Sequence, residues 1–308
     1  MIETYLQPLP HGITLSCRAA GARGQPLMLF LHGFPEAAFI WDELLETFAA
    51  RGFRCVAPNL RGYERSSAPA EVAAYRPRHL VQDIAELIAR ESPGQALAAL
   101  VAHDWGGALA WNLANQHPEL LERLVILNAP HPGAFLRELQ RNPDQQASSA
   151  YMNFLCRSDA EALLAENDFA RLWPFFTRMG AAHDPSDPDA PPGAGWLTEA
   201  RRAQYRAVWQ AGLTGALNYY RASPLRPPSE ADPAAAAVTL PPEMLRIEVP
   251  TLVLWGLADT ALPAALLDGL EHWVPHLTLH RLPRATHWLV HEQPERITQH
   301  IDDFLAHA

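Results

Sequence analysis

The chain has 308 residues, 48% of them hydrophobic and 19% charged, which is enough apolar material for a full core and too much for a disordered segment. A formal net charge of −10 excludes a nucleic-acid or polyphosphate partner, because such binding rests on a clustered positive surface. There is no lysine: all 24 basic residues are arginine, so a Schiff-base nucleophile, a lysine-linked pyridoxal cofactor and a P-loop are excluded together.

At the amino terminus, MIETYLQPLP carries Glu3 and has neither a positive stretch nor an apolar one. No window approaches ~18 uninterrupted apolar residues, so a cytoplasmic, non-membrane protein is expected. Cys17, Cys55 and Cys156 are too scattered for a disulfide framework or a metal-binding pair, and are expected to be buried thiols in a reducing compartment.

The first third alternates short apolar runs with helical patterns. Leu27–Leu31, residues 53–57, residues 96–102 and Leu124–Leu127 have strand length and end on Gly, Pro, Asn or His/Asp punctuation. Residues 41–51 and 80–90 between them have helical spacing, as in Trp41, Leu44, Leu45 and Phe48. This alternation predicts a doubly wound, mostly parallel α/β sheet covered on both faces. After Pro130 the pattern breaks. Eleven of the 28 prolines fall between Pro174 and Pro242, and residues 160–171 and 198–220 are helical with no strand between them. Alternation resumes with a strand at 251–255, a helix from Pro263, a strand at Leu277–Leu282 and a closing helix at 294–305. The expected organisation is one core, residues 1–130 and 243–308, interrupted by a helical cap at 131–242. The alanine run at 234–237 is expected to be a linker.

The most informative segment is Ala102-His103-Asp104-Trp105-Gly106-Gly107, at the junction of a strand and a helix. Small residues at these spacings allow the sharp turn of a nucleophile elbow, which lifts the central side chain clear. That side chain is the carboxylate of Asp104, suited to displacement at a saturated carbon where serine would suit an acyl substrate. The competing role for Asp104 is a simple N-cap. An ester on Asp104 is cleaved through an oxyanion, and the backbone N–H groups of Trp105 and of Phe34, in His32-Gly33-Phe34-Pro35-Glu36, are the expected oxyanion-hole donors. A base and its orienting acid are expected at the ends of later strands: His287, with His291 as competitor, and Asp259. The chain order nucleophile, acid, histidine is that of the α/β-hydrolase fold. His291-Glu292 lacks the second histidine of a zinc-protease helix, so no metal is expected.

With HGFPE, HDWGG, the Asp259 loop and THWLVHEQPE in place, the chain resembles the epoxide hydrolase branch of the α/β-hydrolase fold over most of its length. The segment Asn59-Leu60-Arg61-Gly62-Tyr63 also resembles that branch, with Asn59 where an aspartate is usual. Opening an epoxide expels a poor leaving group, so acids must hold or protonate the oxygen. The resemblance implies a pair of lid tyrosines for this, Tyr151 and Tyr220, with Tyr219 as an alternative to the second. It also implies a vicinal diol product, no cofactor, and a small apolar epoxide and water as the partners of a monomer or homodimer. Phe154, Trp173, Phe175 and Trp209 are expected to line an apolar pocket or to pack the lid.

Two other functions use the same elements. A dehalogenase has the same aspartate but stabilises a halide with N–H donors; a haloacid substrate is disfavoured because no arginine occurs from Asp104 to Leu121. A non-catalytic receptor for a small apolar ligand is the third.

Overall fold

The computed structural model describes residues 1–178, 195–230 and 232–306. Eight strands form one sheet: β1 (Glu3–Pro8), β2 (Thr14–Ala20), β3 (Leu27–Leu31), β4 (Arg54–Pro58), β5 (Ala99–His103), β6 (Leu124–Leu127), β7 (Thr251–Gly256) and β8 (Leu277–Leu282). Their order is β1-β2-β4-β3-β5-β6-β7-β8. β1 and β2 pair antiparallel, as do β2 and β4, and every other pairing is parallel. Every residue of β3, β4, β5, β6 and β7 is buried, which is why these strands are apolar runs without alternation. β1 is an edge strand exposed at alternate positions and β2 carries Ser16 and Arg18, so neither shows that signature.

Helices α1 (Asp42–Ala50), α2 (Pro77–Glu91) and α3 (Trp105–Gln116) connect the first parallel strands. Seven helices lie between β6 and β7 with no strand among the described residues. They are α4 (Pro132–Arg141), α5 (Pro143–Ser148), α6 (Tyr151–Leu155), α7 (Ala160–Phe169), α8 (Trp173–Arg178), α9 (Glu199–Gln210) and α10 (Thr214–Ala222). After β8 come α11 (Leu289–Glu292) and α12 (Pro294–Ala306). No described helix is long and apolar enough to cross a membrane.

The structure departs from the sequence reading at several helices, each time for a local reason. The single helix expected at 198–220 is two, α9 and α10, parted at Gly212 with φ 135°. The helix at 160–171 ends early because Asn167, Asp168 and Phe169 have positive φ. The helix expected from Pro263 is only two 3₁₀ turns, Ala264–Leu267 and Leu270–His272, with left-handed Gly269 between them. The alanine run at 234–237 lies within a 3₁₀ turn, Pro233–Ala237.

Asn59 has a structural reason to be an amide. Its Oδ1 accepts the Ala38 N–H at 2.9 Å, while its Nδ2 donates to the Glu64 carboxylate at 3.0 Å, where an aspartate would set two like charges together. The helices above the sheet are tied down by buried polar bonds. The Tyr219 hydroxyl donates to the Arg61 carbonyl at 3.0 Å and the Trp209 indole to the Pro35 carbonyl at 2.7 Å.

Candidate active site

β5 delivers Asp104 at the carboxyl edge of the sheet, in a backbone conformation (φ 51°, ψ −121°) that non-glycine residues rarely hold. The turn is so tight that a Cβ on Gly106 would sit 2.4 Å from the Leu31 carbonyl oxygen. Although Asp104 occupies the N-cap position of α3, its side chain makes no capping bond. Its Oδ1 instead accepts the Phe34 N–H at 2.7 Å. A Cβ on Gly33 would fall 2.1 Å from that same oxygen, so the approach requires glycine there. Trp105 is the first residue of α3, and its N–H is among the helix-start donors that have no partner within the helix.

Asp259 is saturated as an acceptor. Oδ1 takes the N–H groups of Ala261 and Leu262 at 2.8 and 2.9 Å, while Oδ2 takes Asn128 Nδ2 at 2.6 Å and His287 Nδ1 at 2.7 Å. With Nδ1 committed to Asp259, His287 turns Nε2 toward Asp104 Oδ2, 3.7 Å away and beyond a direct hydrogen bond. Burial alone would lower the pKa of His287, but Asp259, with further help from Asp104 and Glu36, raises it to about 9.

His291, the competing histidine, faces Glu36 Oε1 at 2.6 Å and stacks on Trp196 with ring centroids 4.0 Å apart. Glu36 is fully buried and also accepts the Tyr205 hydroxyl at 2.7 Å, while His103 Nδ1 lies 3.3 Å from its other oxygen. Burial would raise this carboxyl, but His291 and His103 hold it below the usual carboxylate range. His103 in turn donates from Nε2 to the backbone carbonyl of His287 at 2.9 Å, so the Glu36 cluster braces the loop that carries His287.

Tyr151, from α6, and Tyr220, from α10, have ring centroids 6.2 Å apart. Tyr220 stands edge-on to Trp105 and Phe34, at 5.0 and 5.3 Å. Burial, then the Asp104 carboxylate and Asp259, push the Tyr151 phenol well up; burial, then Tyr151 and Asp104, do the same for Tyr220. Asp104, Trp105, Tyr151 and Tyr220 all line one cavity of about 650 Å³. Tyr219 also lines the cavity, but its hydroxyl is committed to the Arg61 carbonyl. Phe154, Trp173, Phe175 and Trp209 do not line it. Trp173 and Trp209 pack on each other at 4.6 Å, and Phe175 packs between Phe34 and Tyr151, so these residues belong to lid packing.

The sequence reading missed Asn128, which orders Asp259, and the partners of Glu36. Asn128 was visible only as punctuation after β6; its φ of 38° and its bond to a residue 131 positions away leave no local trace. Among the described residues, no group of three or more His, Cys, Asp or Glu side chains is placed to hold a metal ion.

The profile of the alpha/beta hydrolase fold family matches residues 26–294. Epoxide hydrolase 3 of Xenopus tropicalis is 34% identical over 98% of this chain and 77% of its own length. The crystal structure of a Bacillus megaterium epoxide hydrolase with an inhibitor is 30% identical, with a TM-score of 0.85 over 98% of this chain and 100% of that one. A solved structure described as one of the novel epoxide hydrolases in metagenomes from hot environments is 36% identical, with a TM-score of 0.85 over the whole of both chains. The aspartate, histidine and second carboxylate gathered at this sheet edge, in a fold matched over this length, place the chain in the epoxide hydrolase branch of the α/β-hydrolase fold family.

Proposed function

We propose that this protein hydrolyses epoxides to vicinal diols through a covalent ester on Asp104. The observation that carries this reading is one cavity lined by a carboxylate in a strained elbow and two buried phenols, beside a histidine held by a second carboxylate. In the first step Asp104 Oδ2 attacks an epoxide carbon, the ring C–O bond breaks, and Tyr151 and Tyr220 hydrogen-bond the departing oxygen and supply its proton. Asp104 Oδ1, already on the Phe34 N–H, becomes the ester carbonyl oxygen. In the second step His287 Nε2 takes a proton from water, whose oxygen attacks Asp104 Cγ. The oxyanion that forms on Oδ1 is met by the N–H groups of Phe34 and Trp105; its collapse breaks the Asp104 Cγ–Oδ2 bond, the second water proton, carried on the new Asp104 carboxyl, passes to the departing alkoxide to complete the diol, and the phenolate left by the first step is restored by the proton that His287 gives up on esterification.

Nucleophile, acids and base are all side chains, so the reaction requires no cofactor. In this reading residues 1–130 and 243–308 are the core that supplies Asp104, Asp259 and His287, and residues 131–242 are the cap that supplies the phenols. A small apolar epoxide and water are the partners. Residence in the cytoplasm fits the free thiols of Cys17, Cys55 and Cys156. The phenols distinguish this reading from dehalogenation, since a halide leaves without needing a proton. Incubation with styrene oxide and with a chloroalkane is the test: diol without halide is expected, halide without diol would support a dehalogenase, and neither product would support a receptor.

A further inference from the structure

His287 stands on residues 283–288, a segment between β8 and α11 that belongs to neither, so its position depends on what holds the peptide groups around it. The carbonyl groups of this loop rest on β7 and its neighbours. A Cβ on Gly256 would lie 2.5 Å from the carbonyl oxygens of both Ala285 and Thr286, the Ala258 N–H donates to the Ala285 carbonyl at 3.0 Å, and Asn128 Nδ2 donates to the Thr286 carbonyl at 3.3 Å. The donors of the loop end on a carboxylate that the chemistry above does not use. Glu292, the last residue of α11, accepts the Thr286 N–H on Oε2 at 2.8 Å and the Thr286 hydroxyl on Oε1 at 2.6 Å. That hydroxyl in turn accepts the Trp288 N–H at 3.1 Å. The residues on both sides of His287 are thereby tied to Glu292, and since Thr286 and Trp288 are each 1% exposed, water is not at hand to replace a bond that is lost.

We infer that Glu292 is a positioning residue for ester breakdown: by gripping Thr286 it aims His287 Nε2 at the water that attacks Asp104 Cγ. This role rests on the epoxide reading of the Asp104 site and belongs to its second step alone. Ester formation uses Asp104, the Phe34 N–H and the phenols of Tyr151 and Tyr220, and among the described residues none of these is hydrogen-bonded to Thr286 or Glu292. Ester breakdown needs Nε2, which stands 3.7 Å from Asp104 Oδ2, to meet a water at hydrogen-bond distance, and misplacing a reacting group by about 1 Å costs about 10²-fold in rate.

Single turnovers of styrene oxide with enzyme in excess, with the covalent ester followed by intact-protein mass, separate the two steps. Glu292→Ala should slow ester breakdown by about tenfold, short of full misplacement because Asn128 and His103 still hold the loop, and leave ester formation within about twofold, so that the ester accumulates. Glu292→Gln keeps an acceptor for the Thr286 N–H and a donor to its hydroxyl, so breakdown should recover to within about threefold of the unaltered protein. Thr286→Val keeps the N–H bond, loses the hydroxyl and should slow breakdown by about threefold; added to Glu292→Ala it should contribute less than it does alone, because both side chains act through one contact. Thr286→Val also carries the test by itself should Glu292→Ala fail to fold. Both steps slowed alike, breakdown unchanged in Glu292→Ala, or breakdown as slow in Glu292→Gln as in Glu292→Ala overturns the inference. His287→Gln is the control, since it should trap the ester whatever Glu292 does. Ester trapped there but not in Glu292→Ala overturns the inference alone, whereas no ester in His287→Gln overturns the covalent reading and the inference with it.

Discussion

His287 sits between two carboxylates, and the proposed ester would form on only one of them. Asp259 is fixed by Asn128 and two backbone N–H groups. Asp104 loses its charge once it is esterified. With both charges present the pKa of His287 is raised to about 9, so the resting imidazole is protonated near neutrality. Esterification removes the Asp104 contribution, lowers that pKa and frees Nε2 to accept a proton from water. A base acts when deprotonated, so the single-turnover rate of ester breakdown should rise with pH and level off with a midpoint below about 9. A rate that falls with pH across that range would contradict the assignment. The phenols behave oppositely: burial and Asp104 raise the Tyr151 pKa, and burial, Tyr151 and Asp104 that of Tyr220, so both remain protonated donors over the same range. Tyr220→Phe should slow ester formation by about 10²-fold while leaving ester breakdown nearly unchanged, as resolved by pre-steady-state kinetics.

At the level of elements, the turn after β4 links the sheet, α2 and the cap. Arg61 grips Asp83 of α2 with two nitrogens, at 2.8 and 2.6 Å, both side chains nearly fully buried, and the Arg61 carbonyl receives Tyr219 of α10. Arg61→Ala would leave Asp83 buried with His11, 2.7 Å away, as its remaining side-chain partner. It should cost about 3–5 kcal/mol in denaturant unfolding; a loss within about 0.5 kcal/mol, the range of ordinary surface changes, would show that the pair bears little load. The same scale explains what could be read in the sequence. β3, β5, β6 and β7 are legible because burial on both faces selects unbroken apolar runs, whereas β1 and β2 at the edge have no such constraint. Helix ends in the cap were missed where non-glycine residues such as Asn167 and Asp168 take positive φ, because nothing in those residue types announces the break. Asp104 was legible because the elbow demands small residues beside it. Glu36 and His291 meet across 255 positions of sequence, and no local pattern encodes a contact of that span.

Over the whole molecule, the proposed reaction is divided between two layers. The sheet holds Asp104, Asp259 and His287 beyond the carboxyl ends of β5, β7 and β8, while the helices between β6 and β7 bring the phenols of Tyr151 and Tyr220 down onto the cavity that Asp104 lines. Tyr205 on Glu36 and Trp209 on the Pro35 carbonyl lock that upper layer to the loop bearing the Phe34 N–H, so the position of these helices and that of the Phe34 donor are set together. The central claim is that Asp104 itself becomes part of the intermediate, and a single turnover with enzyme in excess, in water enriched in heavy oxygen, tests it most directly. The account predicts that the first diol carries ordinary oxygen taken from the protein and that the heavy isotope appears in the peptide containing Asp104. Heavy oxygen in that first diol, with none in the peptide, would contradict it.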